Sequence, residues 1–157
     1  MREKAVPLSP IPQRAQKFNK VIVEVIVGIL LIVWLHTSIS KLMDFSSLKI
    51  QMSQSPVFYK FTTLAAIAGP GLEILLSILL IFKRTRLLGF IGSFLLMVFF
   101  TWYVSYLMVT MPNLPCNCGG IVGWLNWPQH LALNIFLTVI SAIGIVLYRQ
   151  QVKAAKK

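Results

Sequence analysis

Two cysteines one residue apart, Cys116 and Cys118, stand in the run Pro115-Cys116-Asn117-Cys118-Gly119-Gly120 and are the only thiols of the chain. A single intervening residue closes a small, strained disulfide ring, and the adjacent glycines permit the tight turn it needs. Strained, exposed disulfides are the oxidising and labile ones, so the pair suits thiol–disulfide exchange. As a staple it is poor, because so short a loop removes almost no chain entropy. Two other readings stand beside exchange: a structural bond that shapes the loop, and a pair of free thiols without a role. Two thiolates with His130, Met108 or Met111 would also offer soft ligands to Cu(I), but the spacing matches no closed metal site, and no metal is assigned.

Other residue types capable of chemistry are few. His130 and His36 are the only histidines. A histidinium near Cys116 or Cys118 would raise the thiolate fraction; the plainer alternative is that His130 bonds the loop backbone and His36 pairs inside the protein. Asn134 follows His130 by one helical turn, where it could orient the ring or bond a neighbouring helix. Glu73 lies deep in an apolar stretch just after Gly69-Pro70-Gly71, a triplet that weakens a helix and makes room for a ligand. A carboxyl in hydrocarbon is a functional candidate by default, with a hydrogen bond to another helix as the plainer reading.

The elements that must hold these groups follow from composition. With 57% hydrophobic residues and a mean hydropathy of +0.77, the chain is too apolar for a water-soluble domain. Four strongly apolar stretches reach the length of about 20 residues that spans a hydrocarbon core: about Val21–Ser40, Phe61–Phe82, Leu87–Thr110 and His130–Tyr148. The expected fold is therefore all-α, a four-helix up-down-up-down transmembrane bundle. The first span is too long for a signal peptide and lacks a small-residue cleavage site. Between the first two spans, Leu42, Phe45, Leu48 and Met52 recur at helical spacing, which predicts a short amphipathic helix along the interface, ended by Pro56. Pro7, Pro10 and Pro12 disfavour a helix before Lys20. The connection 111–129 is free of charge and carries both cysteines, with Trp124 and Trp127; Pro128 suits the first turn of the last helix.

The net charge of +11 sorts by segment. Twelve of the fifteen basic residues lie in the tail 1–20, in Lys83-Arg84-Thr85-Arg86, and in the tail 149–157. The other connections hold only Lys41, Lys49 and Lys60. The positive-inside rule then places both termini in the cytoplasm and the cysteines outside, in a bacterium facing the oxidising periplasm across the inner membrane. A nucleic-acid reader would spread its charge over a surface interleaved with aromatics, so nucleic acid is excluded as a partner. The basic tails need only anionic lipid headgroups. Glu24, within a turn or so of Lys20, is placed to reach back to that interface and receives no role. Trp34, Trp124, Trp127, Tyr59, Tyr103 and Tyr106 gather toward the other end, as an aromatic belt or the lining of a quinone pocket would.

Ser38-Ile39-Ser40-Lys41-Leu42 with Asp44-Phe45, then Gly69-Pro70-Gly71-Leu72-Glu73, then Cys116-Asn117-Cys118-Gly119-Gly120 followed by Trp127, His130 and Asn134, together resemble the MauE/DoxX-like redox-associated membrane proteins over roughly residues 20–150. The cysteine–glycine segment with its downstream Trp and His is the specific part. The resemblance implies a four-helix membrane protein, similar in layout to quinone-linked disulfide-forming proteins, that works beside a periplasmic thioredoxin-fold partner. Members named for methylamine utilisation are implicated in maturing a disulfide-rich dehydrogenase. Cys116 and Cys118 would be the redox pair, with His130 assisting. Lys41, Glu73, His36, Trp127 and Asn134 are the candidate binding residues. Disulfide-generating membrane enzymes usually carry a second cysteine pair, and this chain has none.

Three functions therefore compete: thiol–disulfide exchange in support of protein maturation, a non-enzymatic subunit of a larger membrane complex, and a quinone-binding oxidoreductase subunit in which Glu73 and His36 handle protons. No nucleophile with a base and an orienting acid is found on the outer face, which sets hydrolases aside.

Overall fold

The structure, a computed structural model, describes residues 13–110 and 127–155. Five α-helices and one short 3-10 turn account for it: α1 (Gln13–Met43), α2 (Phe45–Gln54), the turn Tyr59–Phe61, α3 (Thr62–Ile81), α4 (Arg86–Thr110) and α5 (Trp127–Ala155). Four stretches, Lys17–Met43, Tyr59–Ile81, Arg86–Thr110 and Pro128–Ala154, are long and apolar enough to cross a bilayer. With α2 as the short helix after the first of them, the expected all-helical class stands.

The four long helices form a closed ring in which α1 packs on α3, α3 on α4, α4 on α5 and α5 back on α1. Each neighbour runs antiparallel to the last. At one end, Gln151 of α5 donates to the carbonyl of Asn19 in α1 at 3.0 Å, and Tyr148 donates to the carbonyl of Lys83 between α3 and α4 at 2.5 Å. Lys17, Lys20, Lys83, Arg84, Arg86, Arg149 and Lys153 therefore share this basic end. The opposite end holds α2, the start of α3, the end of α4 and the start of α5.

Burial follows the helical period. Val23, Ile26, Val27, Leu30 and Trp34 form the inward stripe of α1, and His130, Asn134, Leu137 and Ser141 that of α5. The outward faces are also apolar: Ile32, Leu64, Leu95 and Val109 are among the many large hydrophobic side chains left exposed. A water-soluble bundle would carry charge there. In a bilayer, lipid covers these faces, and small or polar groups go inside, where backbones approach and hydrogen bonds form. Ser77, Ser93 and Ser141 are buried accordingly. Gly144 lies against the buried ring of Phe90, with space for no Cβ: an added carbon would sit 2.5 Å from the ring. Gly89 similarly lets α4 approach the backbone of Leu80 in α3, where a Cβ would fall 2.9 Å from the Leu80 nitrogen.

Two local readings change, and a third gains a partner. The first helix begins at Gln13, inside the stretch expected to remain non-helical up to Lys20. Pro12 is the last breaker, and Gln13, Arg14, Ala15, Gln16 and Lys17 are mostly good helix formers, so the helix starts before the apolar span. The Gly69-Pro70-Gly71 triplet does not break α3, which runs through it unbroken from Thr62 to Ile81. Pro70 only withdraws the donor that would have met the carbonyl of Ala66. Glu24 keeps to the basic end, where its partner lies across the bundle. Its carboxylate accepts from Arg86 Nη1 at 2.6 Å, across to the first residue of α4, while Arg86 Nε donates to the carbonyl of Leu80 at 3.0 Å.

Short helix α2 is capped by Asp44, whose carboxylate accepts from the backbone N–H of Ser47 at 3.3 Å. Its buried residue is Leu48. Beyond it, the buried Ser55 hydroxyl accepts from Tyr103 of α4 at 2.9 Å, which ties the α2–α3 connection over the mouth of the bundle.

Candidate functional site

Lys41, near the end of α1, and Glu73, in the inward stripe of α3, meet inside the bundle as an ion pair. The Glu73 side chain is 1% exposed and that of Lys41 13%. The Lys41 stem reaches down from the helix end, and its ammonium also lies 5.2 Å from the ring centroid of Phe100 in α4, close enough for a cation–π attraction. Thr37, one turn below Lys41 on the same face, places its hydroxyl 3.1 Å from Glu73 Oε2 and 2.9 Å from the carbonyl of Val33, one proton serving the two. Each oxygen of Glu73 therefore has a polar partner within reach, Lys41 on one and Thr37 on the other.

A cavity of about 100 Å³ opens beside this pair. Helix α5 contributes His130, Asn134 and Leu137 to its wall, α1 contributes Trp34, Thr37 and Lys41, α2 contributes Gln51 and Met52, α3 contributes Glu73, and α4 contributes Met97, Phe100 and Tyr103. Trp34 is held by its indole N–H, which donates to Ser93 of α4 at 3.0 Å. The Asn134 side chain is 4% exposed, and its Nδ2 finds no acceptor. An unpaired amide donor in an apolar interior costs about 1–3 kcal/mol. A second cavity, about 170 Å³, adjoins the first and shares Lys41, Leu48, Met52, Phe100 and Tyr103 with it. Ala65, Ala68, Gly69 and Pro70 form its α3 side, so the glycine–proline triplet makes room without unwinding the helix.

Of the candidate residues, Lys41, Glu73, His130 and Asn134 come together around one cavity although they derive from three helices. His36 does not join them. It is one residue away from Thr37, a rotation of about 100° around the helix, and its Nδ1 is buried without a partner elsewhere. Trp127 heads α5, but its side chain lies outside the described residues, as do Cys116, Cys118 and the rest of their connection. Among the described residues no group of three or more His, Cys, Asp or Glu side chains could hold a metal ion. Thr37 and Gln51 were not singled out from the sequence, whereas Tyr103 stood there among the aromatic residues of a belt or pocket. Thr37 had a legible signal, its position one turn before Lys41 on the same face; Gln51 had none beyond helical phase.

The family described as methylamine utilisation protein MauE matches residues 19–147, the whole bundle apart from the ends of α1 and α5. The chain belongs to the MauE family. It is thus a multi-pass integral membrane protein of that family, with four apolar helices. No curated protein and no solved structure matches it. For this MauE-family chain, the polar cluster around Glu73 sits at the half of the bundle from which the cysteine-bearing connection departs and to which it returns.

Proposed function

We propose that this MauE-family protein exchanges thiols and disulfides with a thioredoxin-fold protein outside the bacterial inner membrane, in support of that protein's role in disulfide maturation. The reading places the basic end in the cytoplasm, as the positive-inside rule requires. One observation carries it: the connection holding both cysteines joins the end of α4 to the start of α5, at the end of the bundle away from every basic cluster. An outward Cys-Asn-Cys turn there meets oxidising surroundings and soluble partners.

In the exchange, a thiolate of the reduced partner attacks one sulfur of the Cys116–Cys118 disulfide. That S–S bond breaks, a mixed disulfide forms, and the second cysteine leaves as a thiolate. The partner's other thiolate then attacks its own sulfur in the mixed disulfide and releases the remaining cysteine. Two electrons pass to the Cys116–Cys118 pair, and the partner leaves oxidised; the reverse sequence reduces the partner. His130, in the first turn of α5, is the imidazole nearest to the pair in sequence, and it is assigned the tuning of their thiolate fraction. The bundle below supplies a rigid support for both ends of the connection.

Single variants Cys116→Ser and Cys118→Ser test the proposal, because each leaves one thiol unable to resolve a mixed disulfide. One of them is expected to accumulate a reductant-sensitive adduct with a thioredoxin-fold protein in whole cells. Failure of both to trap such a protein, with full function retained by the double serine variant, would overturn the reading in favour of a non-enzymatic subunit.

A further inference from the structure

Beyond thiol exchange, and independently of it, the cavity of about 100 Å³ beside the Lys41–Glu73 pair has the features of a water site. Asn134, 4% exposed, stands in its wall with an amide Nδ2 that no acceptor meets. Cavities that stay empty are apolar ones, and this wall carries Thr37, Lys41 and Glu73 besides Asn134. A water needs about 10–15 Å³ of such space and two to four polar partners, so several fit. An apolar occupant would leave the Asn134 amide unpaired.

The two ends of this cavity differ. Toward the basic end, Trp34, Met97 and Leu137 form the floor, each no more than 3% exposed. Below them Leu30, Leu80 and Phe90 are fully buried in the apolar core. Toward the other end, the wall passes to Gln51 of α2 and His130 in the first turn of α5. None of the described lining residues is exposed on the lipid-facing side, so water comes from the α2 end. At 1.5 Å per residue, Asn134 lies about 10 Å below the start of α5 and Glu73 about 16 Å below the start of α3. The second depth is about half of a 30 Å hydrocarbon core.

We infer that this cavity is a water-filled inlet, anchored on the Asn134 amide, that runs from the α2 end of the bundle to Lys41 and is sealed from the basic end by Trp34, Met97 and Leu137. Its ligand is water, with room for an ion of similar size; Glu73 neutralises Lys41, so a small cation is not repelled. The bundle interior is thus wet on one side of the ion pair, a setting in which ionisable groups inside a membrane persist.

Silver ion in nitrate medium, which reaches thiols through water, tests this on the full chain with Cys116 and Cys118 replaced by serine. Val104→Cys places a near-isosteric thiol in the cavity wall, and Val27→Cys places one in the sealed core. Ser46→Cys, on exposed α2, shows with an impermeant maleimide which side of the membrane that end faces. Loss of later alkylation reads the silver reaction. Silver is expected to block Val104→Cys at least tenfold faster from the Ser46→Cys side than from the other, and Val27→Cys at least tenfold more slowly than that from either side. Asn134→Leu keeps the size and removes the donor; Leu48→Phe narrows the mouth from α2 without removing a polar group. Each should slow the Val104→Cys reaction at least fivefold in protein that keeps the parent's melting temperature. Equal rates from both sides, no reaction from either, Val27→Cys as fast as Val104→Cys, or a rate unchanged in either blocking variant would each overturn the inlet. Trapping of a thioredoxin-fold protein by the single cysteine variants is a separate result that none of these outcomes alters.

Discussion

Replacing Lys41 with methionine removes the cation that faces Glu73 while keeping the apolar stem against Phe100. Glu73 is then left with the Thr37 hydroxyl as its remaining partner of those described above. Breaking a buried pair from one side costs about 3–5 kcal/mol, because the other charge stays desolvated and unpaired. The retained Thr37 bond puts the expected loss near the lower limit, about 3 kcal/mol. Glu73→Gln leaves an ammonium 13% exposed and resting on an aromatic ring, so its loss is smaller, about 2 kcal/mol by the same reasoning. The double variant leaves no orphaned charge and should lose less than the sum of the two. A coupling of at least about 2 kcal/mol is expected, within the range for residues in direct contact. Unfolding by SDS in mixed micelles, followed by far-UV circular dichroism across all four proteins, measures it. Additive single losses would refute the premise that the two side chains meet inside the bundle.

The helix contacts make an ordered prediction for alanine at three glycines. Gly144→Ala and Gly89→Ala push into the Phe90 ring and the Leu80 backbone and should each cost about 1–3 kcal/mol in the same assay, whereas Gly28→Ala meets nothing within 4 Å and should be neutral or stabilising by up to about 1 kcal/mol. At the basic end, Glu24→Gln should change stability by less than about 1 kcal/mol, since the Glu24 side chain is 58% exposed and exposed ion pairs contribute little. Arg86→Met should cost more, about 1–3 kcal/mol, because it strands the Leu80 carbonyl. A membrane-impermeant maleimide applied to intact cells after mild reduction should label Cys116 and Cys118; labelling only after permeabilisation would reverse the assigned orientation.

The fold was legible because its signals are local and large. Four apolar runs, the short basic run Lys83-Arg84-Thr85-Arg86 between the second and third of them and the sorting of lysines and arginines are properties of consecutive residues, and the bilayer admits few structures that satisfy their backbones. Helix ends were less legible. Gln13 to Lys20 carries polar side chains yet good helical propensity, so the helix outruns the apolar stretch that announced it.

Sequence alone therefore determined that four helices span a bilayer, which end of the bundle is basic, and that Glu73 is an anomaly in need of a partner. Only the tertiary structure decided that the partner is Lys41, that Asn134 and His130 line the same cavity while His36 does not, and that Glu24 meets Arg86. The physical reason is rotation and neighbourhood. A helix turns about 100° per residue, so one position separates Thr37 in the cavity wall from His36 outside it. Which inward stripe faces which is set by the order of helices around the ring, and that order is a property of the packed whole.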